Sequence, residues 1–409
     1  MYKTTPDTMR AGSVKTFAIL LAALAMLGPF SIDTYMPSFP EIGRSFGVST
    51  LELQFTISAF LATFAVMSLF HGAIADSYGR RPVILVNLAL FVVASAGCAL
   101  AAAFHQLLWF RALQGLAGGA GMIVGRAMIR DSFAGDDAQR MMSTVTMIFG
   151  LAPAIAPIVG GWLQAAFGWR SVFVFLAIYP AVLLVACYRW LPETLPRQER
   201  QPFVARVLLA NYCRLLGNLR FGLMSSAIAF NFCAFFLYIA AAPVVIYQWL
   251  GLNETQFAWL FIPGISGIVI GAFISGRIAG RLARWQTLRL GYAVMFAAVA
   301  CNVAYHAAAA PALPWTVLCV MLFAMGMAIA MPTLTLLALD LFPHNRGMAA
   351  SLQSFQHSMF TAIAAVAIVP LVADSALAVG VTASVLLVCG TACAVRFLRA
   401  PKNTEISDA

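Results

Sequence analysis

Charge is what this 409-residue chain has least of: 10% of its residues are charged, and only 15 are Asp or Glu. Soluble domains carry about a quarter of their residues as charges, so a water-exposed globular fold is excluded. The sequence has no GK[ST] phosphate loop, no HExxH pair and no nucleophile elbow, which leaves out ATP-driven work and hydrolytic catalysis by those devices. The chain is not expected to be an enzyme or to need a cofactor. Cysteine is scarce, eight residues scattered mostly within apolar runs, and Cys389 and Cys393 lie one turn apart without companion ligands. Neither a disulfide framework nor a metal centre is expected.

What the chain has instead is hydrophobic length. It is 62% hydrophobic, with a mean hydropathy of +0.89. A helix needs about 20 apolar residues to cross the hydrocarbon core, and helices are favoured because lipid cannot satisfy open backbone groups. Twelve such segments are predicted, over 15–38, 51–74, 83–104, 106–129, 141–165, 170–190, 221–247, 255–280, 288–307, 313–338, 347–372 and 376–398. The fold class is an all-α polytopic membrane protein. The first apolar run is too long for a signal-peptide core and is expected to stay attached.

Of the 25 Lys and Arg, Arg111 and Arg126 fall inside spans, and Arg44 and Arg170 follow spans 1 and 5. The rest lie in the N-terminal tail, the even-to-odd connections and the C-terminal tail, which the positive-inside rule places in the cytoplasm. Both termini are therefore expected there. The formal charge of +10 is explained by topology and anionic lipid, not by nucleic acid.

Residues 191–220 form a long polar connection with Pro192, Pro196, Pro202 and five arginines, and they divide the spans six and six. The expected organisation is an N-terminal six-helix bundle (1–190), a cytoplasmic linker (191–220) and a C-terminal bundle (221–409). An internal repeat supports it. SFGVSTLELQF (Ser45 to Phe55) matches WLGLNETQFAW (Trp249 to Trp259) at an offset of 204 residues, pairing Gly47 with Gly251, Ser49 with Asn253 and Glu52 with Gln256. Each reads as a glycine turn followed by a capping box. GAIADSYGRRPVIL (Gly72 to Leu85) matches the stretch from Gly276 at the same offset, pairing Gly72 with Gly276 and Arg80 with Arg284, but Gly280 stands where the first copy has Asp76. Two pseudo-symmetric bundles follow, related by an axis along the membrane normal.

Here the chain resembles a known family. Gly72, Asp76, Gly79, Arg80 and Arg81 are similar to the signature between spans 2 and 3 of the major facilitator superfamily, and FRALQGLAGG (Phe110 to Gly119) carries Arg111, Gln114 and Gly115 at the spacing of its span 4 signature. GLAPAIAPIVGG, with Gly150, Pro153, Pro157, Gly160 and Gly161, resembles the antiporter signature of span 5. DTYMPSFP (Asp33 to Pro40) and the Ile129–Asp131 tripeptide are similar to the bicyclomycin and chloramphenicol resistance (Bcr/CflA) subfamily of drug:proton antiporters. The resemblance implies a monomeric, proton-coupled exporter of drug-like molecules in a bacterial inner membrane. Export of an endogenous amino acid, peptide or sugar is the alternative, and a non-transporting membrane sensor a more distant one.

Charges inside spans are costly and mark functional candidates. Asp33 is the one acid expected to be embedded, either as the proton or substrate site or as a cap on the helix broken before Pro37. Arg111, entering span 4 from the same side, reaches a similar depth and either faces Asp33 or ties helices through carbonyls. Tyr35 and Gln114 join them in the matched motifs. Arg126, near a helix end, is expected to snorkel. In the loop motif, Gly72 and Gly79 allow close approach and a tight turn, Arg80 meets Asp131, and Asp76 caps a helix of the other half, so that the contacts latch one face; the bland reading makes the arginines topology markers. The prolines and glycines of span 5 suit a bent, tightly packed hinge. Asn231, Phe235 and Tyr238 form a stripe on span 7, and Gln353, Gln356 and His357 add hydrogen-bonding groups on span 11; these are the candidate substrate wall, with core packing as the alternative.

Overall fold

The computed structural model describes residues 11–133, 135–342 and 346–399, which are helical or in turns and loops, with no strand among them. Span 1 is Ala11–Asp33, followed by a 3-10 turn at Met36–Ser38 and a short helix, Phe39–Phe46. It ends five residues before the expected boundary, because prolines 37 and 40 interrupt the ladder. Span 2 is broken into Thr50–Ser68 and His71–Tyr78, bent by 48°. Spans 3 to 6 are Arg80–Leu100, Phe104–Ser132, Gly135–Phe167 and Trp169–Trp190. Leu219–Ala240, extended through a π turn at Val245–Trp249, forms span 7; Ala258–Ile278, Arg284–Ala308 and Trp315–Leu339 are spans 8 to 10. Span 11 runs from Arg346 to Val372 with a π turn at Ala364–Ile368, and span 12 is Ala376–Arg399. Among the described residues, eleven helices meet the length and hydropathy of a membrane span, twelve with the bent pair counted as one.

The same neighbours meet in both halves. Span 2 packs on span 4 as span 8 packs on span 10, span 1 on span 5 as span 7 on span 11, and span 3 on span 6 as span 9 on span 12. The seams are closed by glycines, which let backbones approach where no hydrophobic force acts between helices in lipid. A Cβ at Gly115 of span 4 would overlap the Phe60 carbonyl of span 2, and one at Gly267 or Gly271 of span 8 would overlap the Met321 or Met325 carbonyl of span 10. Both repeat copies of the turn and cap take one shape: Gly47 and Gly251 have φ of +65° and +62°, and Ser49 and Asn253 each head a capping box.

The halves meet mainly toward the face bearing those caps, hereafter the capped face. Ser58 donates to the Ala362 carbonyl at 2.9 Å, Gln54 to the Ala240 carbonyl at 2.9 Å, and Tyr247 to the Pro37 carbonyl at 2.7 Å. Gly161 of span 5 sits so close to the Glu254 backbone that a Cβ would overlap its carbonyl. The opposite face carries the loop of Arg80 and Arg81 and is called the basic face below.

Candidate functional site

Asp33 is the last residue of span 1 and is 5% exposed. Among the described residues, no side chain makes a hydrogen bond or ion pair with its carboxylate. Arg111, on span 4, is fully buried, but it does not meet Asp33. Its Nη1 donates to the Ser31 carbonyl at 2.9 Å and to Gln114 Oε1 at 2.8 Å. The guanidinium lies 4.8 Å from the ring centres of both Tyr35 and Phe60, and among the described residues its Nε and Nη2 have no hydrogen-bond partner. Here Ser31 offers only its backbone carbonyl, and Tyr35 lies past the end of span 1 at the start of the 3-10 turn; Asp33, between them, makes no contact with the guanidinium. The facing of Asp33 and Arg111 is thus replaced by a guanidinium held by a carbonyl, an amide and two aromatic faces.

Gln114 orients that guanidinium and is itself held, its amide nitrogen donating to Ser95 at 2.8 Å. The Tyr35 hydroxyl donates to Thr56, whose own hydroxyl donates to the Leu53 carbonyl. The Arg111 bonds join spans 1, 3 and 4, and the ring of Tyr35 against the guanidinium connects them to Thr56 of span 2. Thr56 and Ser95 were missed in the sequence because isolated hydroxyls in apolar helices carry no spacing signal.

At the basic face, Arg80 Nε donates to Asp131 at 2.9 Å and its Nη1 pairs with Asp76 at 2.5 Å. Asp76 is 48% exposed and meets no residue of the second half among those described, so the expected reach across the gap is corrected: the carboxylate finds a guanidinium one turn along its own chain first. Gly79, at φ +102°, makes the turn. At Gly72 a Cβ would meet nothing, so that glycine is not a close-packing position. Arg81 donates its backbone N–H to Glu193 at 3.3 Å and its side chain to the Tyr188 carbonyl at 2.5 Å. A second pair, Arg284 with Asp340 at 3.1 Å, closes the equivalent corner of the other half. Asp340 escaped the sequence reading, although it ends span 10 as Asp131 ends span 4. Arg126 is exposed.

In span 5, Gly160 abuts the Thr34 carbonyl and Gly161 the Glu254 carbonyl, while a Cβ at Gly150 would meet nothing. Only the second part of the motif is tightly packed. The helix runs unbroken through Pro153 and Pro157.

The span 7 stripe is also corrected. Asn231 donates to the Tyr292 hydroxyl at 2.9 Å and Tyr238 to Asn302 at 3.0 Å, both partners on span 9. Phe235 packs beside Gly264 of span 8. All three are buried within the second half, since an amide and a phenol in an apolar bundle need partners. Facing span 11 instead are Ser226, which receives a hydrogen bond from Gln356 at 2.8 Å, and Phe230 and Phe232, packed on Phe360 and His357. Gln353, on span 11, is buried. A cleft of about 760 Å³ opens at the capped face between the halves, lined by Glu41, Arg44, Gln164, Tyr247 and Glu254 among others, but by neither Asp33 nor Arg111. All eight cysteines are free; Cys213 and Cys301 are exposed.

Comparison with known proteins agrees with this architecture. The chain is 29% identical to a bicyclomycin resistance protein homolog of Haemophilus influenzae, over 68% of this chain and 70% of that protein. It is 29% identical to the multidrug resistance protein MdtL of Escherichia coli, over 82% and 83%, and 27% identical to a chloramphenicol resistance protein of Pseudomonas aeruginosa, over 70% and 67%. In fold it is similar to the crystal structure of a bacterial homolog of the human lysosomal transporter Spinster, with a TM-score of 0.75 at 15% identity over 98% of this chain and 100% of that one. Paired six-span halves, the glycine-closed seams and a match of residues 21–365 to the sequence profile of the Major Facilitator Superfamily lead to one assignment: the chain belongs to that superfamily.

Proposed function

We propose that the protein is a proton-coupled exporter of drug-like molecules, working by alternating access as a monomer in a bacterial inner membrane with the basic face and both termini in the cytoplasm. Residues 1–190 and 221–409 act as the two rocking bundles, and 191–220 joins them. The relatives named for bicyclomycin, chloramphenicol and multidrug resistance support the substrate class. The observation that carries the coupling is Asp33: a carboxylate at the end of span 1, buried and unpaired, with Arg111 held on the neighbouring span. An intramembrane acid without a fixed partner can take up and release a proton as water and substrate reach it in turn.

The test is transport in everted vesicles carrying a pH gradient, with ethidium and chloramphenicol as probes. Addition of a transported probe should dissipate the gradient through the parent protein. Asp33→Asn, an amide that mimics a permanently protonated acid, should insert normally yet lose at least tenfold of gradient-driven accumulation. Undiminished uphill transport by that variant removes Asp33 from the mechanism.

A further inference from the structure

The chain between spans 6 and 7 is bound to the basic face along its length. The Glu193 carboxylate accepts the backbone N–H groups of Arg80 at 3.0 Å and Arg81 at 3.3 Å, satisfying the open start of span 3. Thr194 donates to Asp131 at 3.0 Å, Ser77 donates to the Gln201 carbonyl at 2.6 Å, and Gln201 N–H returns to the Asp76 carbonyl at 3.2 Å. Beyond these ties, the helix Ala205–Leu216 buries Tyr212 and Leu215.

Tyr212 is 5% exposed. Its hydroxyl donates to the Leu69 carbonyl at 2.8 Å, at the bend in span 2, and lies beside the Ser351 hydroxyl of span 11. These are the two spans that touch directly through Ser58 and Ala362. From Ser58 to Leu69 and from Ala362 to Ser351 is the same eleven residues, about 16 Å of helix. At one level the spans are in direct contact; about 16 Å toward the basic face a phenol supplied by a third segment is bonded to one and lies beside the other.

We propose that Tyr212 is a positioning residue for transport, a spacer in the seam between spans 2 and 11 that holds the basic face open and must withdraw for that face to close. The inference rests on the transport reading, because a seam that pivots about the Ser58 to Ala362 contact is what alternating access requires. Closure brings Leu69 and Ser351 together, and the buried ring occupies that space. Burial raises the pKa of the Tyr212 hydroxyl above its ordinary value, with the neighbouring Ser351 hydroxyl lowering it in part, so the group remains a protonated donor on both sides of a proton gradient.

Tyr212→Phe removes the hydroxyl and keeps the ring. Spin labels at Arg140→Cys and Arg281→Cys, exposed positions on the basic face of the two halves, report the gap in a cysteine-free background without substrate. The ratio of closed to open populations should rise roughly three- to tenfold, the weight of one or two hydrogen bonds, with the parent's melting temperature kept. Ser351→Ala should shift the distances in the same direction, and the double variant no further than Tyr212→Phe alone. Unchanged distances in a stable Tyr212→Phe overturn the proposal, as does a widening of the gap; if that variant fails to accumulate, Ser351→Ala decides by the same readout. A distance shift in a protein that moves neither probe sinks the transport reading and leaves the spacer standing. Transport with unshifted distances does the reverse.

Discussion

Arg111 illustrates what a buried cation requires. Two acceptors and two aromatic faces surround its guanidinium, with no carboxylate among the partners found. Such a group tolerates burial only while its acceptors stay in place. Gln114 is one of two, and its own amide is anchored on Ser95. Gln114→Ala should therefore lower stability by about 1–3 kcal/mol, the cost of stranding a buried charged donor, read as a lower melting temperature in detergent. A variant as stable as the parent would mean that water replaces the amide and that the site is wetter than its packing implies.

Among elements, span 5 offers the sharpest contrast, because one motif contains both crowded and open glycines. Gly161 lies against the Glu254 backbone of the other half, whereas Gly150 faces open space. Gly161→Val should force the halves apart at the capped face, raising labelling there by an impermeant maleimide several-fold. Gly150→Ala should change neither labelling nor stability by more than about 0.5 kcal/mol, as for substitutions away from packed features. Equal effects from both would show that the helix itself, not the contact, governs the seal.

On the scale of the whole molecule, the two halves repeat their architecture but not their electrostatics. Arg80 is nearly buried between Asp131 and Asp76 and is backed by Glu193 and Thr194. Arg284 and Asp340 form an exposed pair, with 60% and 37% of their side chains accessible. Exposed pairs contribute about 0–1 kcal/mol and fade in salt; hydrogen bonds to shielded charges contribute about 1.5–3 kcal/mol. Arg80→Ala should accordingly depress the melting temperature well beyond Arg284→Ala, and 0.5 M salt should erase only the smaller effect. Comparable losses in low salt would make the loop motif a topology marker and not a latch.

The sequence alone determined what depends on length and neighbours along the chain: the number of spans, from apolar runs about as long as a bilayer is thick; the paired halves, from one offset; the turns at Gly47 and Gly251 with their capping boxes. Local geometry dictates these, so local residues reveal them. What only the tertiary structure decided is which way each polar group turns. In a membrane the lipid side and the bundle side of a helix are both apolar, so no polar stripe tells them apart, and the Asn231 to Tyr238 stripe pointed as plausibly to a cavity as to span 9. The same holds for Asp33 and Arg111, whose depth follows from counting residues while their separation depends on how spans 1 and 4 are rotated. Tyr212 could not be read at all, because its role arises from Leu69 and Ser351, 143 and 139 positions away along the chain, which only packing brings to one hydroxyl.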